Sequence, residues 1–200
     1  MKRDDDKAAR DAALLVARWI VGASLVGHGT QKLFGWFNGP GIEGATHFMR
    51  SLGFDPPDQH AHLASWTEIA AGILIAAGAF GPIGPAMLAG SMTTAAGSVH
   101  VKNGWFNQDQ GFEMNTLYVL LGLLFGVEDY GRLSFDEVVG LRGKIPAVVS
   151  LLAIAGGAGA GALLLSRRNL GNGKEKEQTQ GAVQTEHGSI DSTIEGAMID

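Results

Sequence analysis

The side chains able to do chemistry fall in four short stretches. The first, GHGTQK, offers His28, Gln31 and Lys32, with His28 and Lys32 four apart on one helix face. A second holds His60 and His62 and then Glu68, which stands inside the apolar run WTEIAAGILIAAG. The third, HVKNGWF, contributes His100, Asn103, Trp105 and Phe106, and the fourth opens at Glu113. At 1.5 Å per residue Glu68 lies ~10 Å inside its apolar segment. A carboxylate at that depth is costly and ordinarily faces a partner within a helix bundle. Lys32 and His28 stand at similar depth on the preceding segment. Together these groups could line a polar pocket in which Glu68 and His28 move a proton. Each also has a plainer reading. Lys32 can snorkel to the headgroups, His60 and His62 can be loop residues, and Glu68 can belong to a structural ion pair. Trp105 and Phe106 fit an interfacial aromatic belt.

Composition narrows the chemistry. The chain has no cysteine, which excludes thiolate nucleophiles, Cys-bound zinc and Cys-held iron–sulfur clusters. No metal site is expected. A net charge of −5 without a basic patch argues against nucleic acid. Only 18% of residues are charged, against about 25% in soluble domains, and they cluster in the termini and loops. That segregation predicts an integral membrane protein in contact with the lipid bilayer.

The elements that must position these groups are apolar runs of membrane-spanning length. Four spans are expected at about 12–34, 62–80, 84–101 and 112–127, after a cytoplasmic segment 1–11, within a four-helix domain over 12–144. The first reads as a retained helix rather than a signal sequence, because Asp4, Asp5 and Asp6 dilute the leading positive charge and Arg18 sits inside it. GPIGP, Gly81 to Pro85, turns the second span sharply into the third. In the first loop, ATHFMRSLGF reads as a short interfacial helix lying over the polar groups like a lid. With this parity the polar residues gather at one face of the membrane. Lys2, Arg3, Lys7, Arg10, Arg132, Arg142 and Lys144 favour a cytoplasmic N-terminus. A fifth apolar helix, 145–165, carries Gly157 and Gly161 four apart. That spacing reads either as a docking or homo-oligomerisation face or as a generic small-residue span. Its crossing would place Arg167 and Arg168 outside, against the charge rule. The polar tail 166–200 lacks an apolar face and is expected to be disordered. The fold class expected is all-α: an integral membrane four-helix bundle with an additional C-terminal hydrophobic helix.

From about Leu14 to Val139 the chain resembles the DoxX family of small bacterial and archaeal membrane proteins. The resemblance rests on VGHGTQKLFGWFNGPG, FMRSLGF, WTEIAAGILIAAG around Glu68, HVKNGWF from His100, GFE at Glu113 and the closing GRLSFDEVV, in that order. The fifth apolar run and the tail depart from it. The resemblance implies a four-helix membrane bundle in a prokaryotic cell membrane. It also implies a link to redox physiology, since relatives include the DoxD subunit of a thiosulfate:quinone oxidoreductase.

Three functions follow as expectations. One is a quinone-interacting oxidoreductase subunit, its headgroup pocket lined by His28, Gln31, Lys32, Glu68, His100, Asn103, Trp105 and Glu113, with Glu68 and His28 relaying protons. Electrons would come from a protein partner in a membrane complex. Another is a non-catalytic anchor or assembly partner that recruits soluble redox or stress enzymes. The least favoured is a haem protein with His28 and His100 as axial ligands.

Overall fold

The computed structural model describes residues 2–169, and every regular element among them is helical. Most of the tail expected to be disordered, 170–200, lies outside the described residues. Helix α1 runs Lys2–Phe34 and a 3-10 turn follows at Trp36–Asn38. Next come α2 at Gly41–Ser51, α3 at Pro57–Ala77 and α4 at Ile83–Ala95. Helix α5 spans Glu113–Glu128, α6 is the short Phe135–Val138, and α7 spans Ala147–Ser166.

Several boundaries differ from the apolar runs, for local reasons. Helix α1 begins ten residues before the first run, because the charged leader consists of good helix formers and carries its acids toward the helix N-terminus. Helix α3 starts at Pro57, a residue whose fixed φ suits a first turn, and stops at Gly78, which adopts φ 65°. Helix α4 has 13 regular residues, but its winding continues through a π turn at Ala96–His100 and a 3-10 turn at Val101–Asn103. Two helices, over Asp5–Phe34 and Ala147–Ser166, are individually long and apolar enough to cross a membrane.

Helix α1 packs along α3, α3 against α4, and α4 against both α5 and α7. The core is made by Leu14, Val21 and Leu25 of α1, Ala71 and Ile75 of α3, Leu88 and Met92 of α4, and Phe125 of α5. Glycines set the closest approaches. A Cβ on Gly22 would come within 2.5 Å of the Gly72 carbonyl oxygen, and one on Gly29 within 2.7 Å of that of Ser65. These two contacts fix an antiparallel register for α1 and α3, and any larger residue would push the backbones apart.

The Gly157 and Gly161 stripe packs on α4 of the same chain. A Cβ on Gly157 would overlap the Ala86 carbonyl, and one on Gly161 that of Gly90. The face expected to mediate homo-oligomerisation is filled by α4 of the same chain, since both backbones gain contact only where neither carries bulk. Helix α7 runs parallel to α4: Ile145 sits against Gly81 at one end and Leu165 against Gly97 at the other. It therefore traverses the full bundle length, and Arg167 and Arg168 finish at the end opposite the start of α1.

Nor are the buried polar groups confined to one end. At the end near the start of α1, Arg18 is only 2% exposed and donates from Nη1 to the Tyr130 carbonyl at 2.6 Å and from Nη2 to that of Leu133. Asp11 pairs with Arg132. Asp136 accepts the backbone N–H groups of Phe80 and Gly81. The expectation of one-sided polarity is thus corrected. A long arginine leans several ångströms along the helix to reach loop carbonyls, and residue spacing along one helix gives no sign of it.

A candidate polar site at Lys32 and Glu68

Glu68 lies eleven residues into α3, about 16 Å from its start, deeper than the apolar run suggests because the helix begins at Pro57. It is 5% exposed. One carboxylate oxygen, Oε2, takes the Lys32 ammonium in an ion pair, and Oε1 accepts the Ser91 hydroxyl of α4 at 3.3 Å. Three helices therefore meet on one carboxylate.

Side-chain direction explains the choice of Lys32. The register pairs residue 29 of α1 with 65 of α3, so Lys32 is level with His62 and about two turns from Glu68. Helical side chains lean toward their own N-terminus. In antiparallel helices that brings the long Lys32 stem and the Glu68 carboxylate toward each other. His28 starts nearer in level, but it is exposed and has no hydrogen-bond partner among the described residues. The two expected partners of Glu68 thus separate: Lys32 meets it and His28 does not.

The other expected pocket residues form separate groups. Gln31 lies against Gly39, on the side of the 3-10 turn. His100 Nδ1 is 2.7 Å from the Gln110 carbonyl oxygen, which also accepts the Asn103 amide at 3.3 Å. A carbonyl only accepts, so Nδ1 carries the proton and Nε2 keeps its lone pair in the neutral ring. Glu113 accepts the Asn107 backbone N–H at 3.0 Å. Trp105 stands edge-on to Phe112, with centroids 5.1 Å apart. His100, Asn103, Trp105 and Glu113 therefore brace the 104–112 loop. His28 is exposed, whereas His100 is held to its loop. Among the described residues no three His, Asp or Glu side chains gather as a metal site would need.

Two polar contacts between helices were missed by reading the sequence. Ser91 stands in an unremarkable GSM tripeptide, and a serine in an apolar helix has no spacing signature. Ser24 and Tyr118 share a hydrogen bond at 2.6 Å between α1 and α5. The signal available for it was a tyrosine hydroxyl inside an apolar span, which needs a partner.

The outer face completes the picture. Val16, Trp19 and Ile20 of α1 and Leu152 of α7 point outward, and Phe34 and Trp66 pack edge-on where α1 ends. Among the described residues the regular structure is all helical, with many apolar side chains outside and Arg18, Glu68 and Asp136 buried, features that suit a protein of membrane type. Residues 13–101 match the family model of DoxX, which supports membership of this chain in the DoxX family. The matched stretch contains His28, Lys32, Glu68, Ser91 and His100, and stops before Asn103, Trp105 and Glu113. No curated protein and no solved structure matches the chain.

Proposed function

We propose that the chain is a multi-pass protein of a prokaryotic cell membrane, acting as the membrane subunit of a redox system in which a quinone headgroup meets the Lys32–Glu68 pair. The observation that carries this reading is the buried Glu68 carboxylate, held by Lys32 and Ser91. Lys32 is 30% exposed, so its ammonium can turn a free donor to an incoming carbonyl oxygen while the stem stays packed. Glu68 is then the group positioned to take or supply the accompanying proton. His28, one turn earlier on α1 and exposed, offers a second proton carrier at the approach. A bound quinone would supply the two-electron chemistry, with electrons delivered by a protein partner.

The test is quinone content. Protein purified from its native membrane should carry quinone, and Glu68→Gln should lose most of it while keeping the helical signal. Equal quinone in the two proteins would sink the proposal.

A second reading, a non-catalytic anchor or assembly partner for soluble enzymes, is favoured by one specific feature. Lys32, Glu68 and Ser91 already satisfy one another, so the cluster can serve purely to join α1, α3 and α4. Under that reading a soluble redox enzyme copurifies equally well with the parent protein and with Glu68→Gln.

A further inference from the structure

The short helix α6 is turned inside out. Its flanking Ser134 and its own Asp136 are buried, whereas Leu133, Phe135, Val138 and Val139 are exposed, Val138 to 82%. A loop facing water would do the reverse, because burying apolar side chains is the main gain available to it. The inversion is enforced from within. Arg18 holds the Leu133 carbonyl, Asp136 takes two backbone N–H groups of the α3–α4 turn, and Ser134 caps the helix by accepting the Glu137 N–H at 3.2 Å. The backbone cannot roll over to hide Val138 without breaking these bonds. Phe80 of the turn packs at a tilt against Phe135, with centroids 5.6 Å apart, and the adjoining Gly81 lies against Ile145, which leads into α7 and its exposed Val148 and Val149.

From this inverted polarity and its continuity with the outward face of α7, we infer that residues 133–139 form an in-plane anchor. Its apolar side chains enter the boundary between lipid headgroups and acyl chains at the end of the bundle where α1 begins. The occupant is the bilayer itself, and the inference rests on the membrane-spanning reading of α7. Apolar side chains at that depth are held as in other interfacial helices. The anchor would fix how deeply this end of the bundle sits.

The absence of cysteine makes the test direct. Val138→Cys and, as a reference on the outward face of α7, Leu152→Cys are each labelled with an environment-sensitive fluorophore and reconstituted into liposomes. Both side chains are largely free of packing, so the fold should tolerate either change. The expected result is a blue-shifted emission at both positions, quenched by nitroxide-bearing lipid. At position 138 a shallow nitroxide should quench more than a deep one, and aqueous iodide should quench little. If position 152 is quenched by lipid while 138 answers only to iodide, the anchor is overturned and the spanning reading stands. If neither answers to lipid, both are overturned.

Discussion

Asp136 grips Gly81 from 55 residues away in the chain: Oδ2 accepts the Gly81 N–H at 2.8 Å while Oδ1 accepts that of Phe80 at 2.7 Å. The connection between α5 and α7 is thereby tied to the turn between α3 and α4. Asp136→Ala leaves two donors without partners, each worth about 1–3 kcal/mol when poorly solvated. A loss of about 3 kcal/mol is expected in denaturant unfolding in detergent. Asp136→Asn, which keeps one acceptor, should fall between. Parent-like stability in the alanine variant would show that the grip is dispensable.

Lys32→Met leaves the Glu68 carboxylate buried with only Ser91, and breaking such a pair costs about 3 kcal/mol. The double variant Lys32→Met/Glu68→Met removes both charges and should regain most of that loss. The contrast between single and double variants, read as unfolding midpoints, measures the coupling. Equal damage in both would mean that the ion pair is not what joins these helices.

Helix α7 offers a matched pair of glycines. Gly157→Leu forces a side chain into the Ala86 carbonyl, and α4 and α7 must separate. Its neighbour Gly156 faces open space, so Gly156→Leu should be accommodated. Folded yield after membrane extraction is expected to collapse for the first and to remain near parent level for the second. The reverse order would show that α7 packs by its other face.

Tyr130 gives the chain a distinctive alkaline behaviour. Burial, and secondarily the nearby Asp136, push its phenol above the ordinary tyrosine value, while its hydroxyl donates to the Gly81 carbonyl oxygen at 2.9 Å. The neutral form is thus favoured in the folded state. Its contribution to stability is complete below the unfolded value of about 10 and declines as pH rises through 10 toward the folded value. Tyr130→Phe should be less stable at neutral pH, by about 1 kcal/mol for the lost hydrogen bond, with a shallower decline above pH 10. An identical alkaline slope in both proteins would assign the decline to another group.

The helical character of the chain was legible in its long apolar runs. Apolar runs of about 20 residues have the length a bilayer crossing needs, and GPIGP carries the bend, although its Ile83, Gly84 and Pro85 already open α4. Glu68 was legible as a carboxylate where none is cheap. The choice between His28 and Lys32 was not, because both lie within reach by spacing and only the lean of each side chain in the folded pair separates them. The eight expected pocket residues do not share one hydrogen-bond network. His100, Asn103, Trp105 and Glu113 lie on the expected side, yet backbone carbonyls and amides of their own loop engage them, or the loop's own packing does. Such competition by local backbone leaves no mark in residue spacing.

The amino-acid sequence by itself determined that this chain is helical, apolar outside its termini and loops, DoxX-like, and marked by one carboxylate within an apolar segment. Hydrophobic run length and the cost of a buried charge are properties of single segments, so they can be read in order along the chain. The tertiary structure decided that Lys32 and Ser91 hold that carboxylate and that α7 lays its Gly157 face on α4. It also decided that Arg18 and Asp136 turn α6 inside out. Each of those is a contact between residues far apart in the chain, set by helix register and side-chain direction, which exist only once the helices have packed.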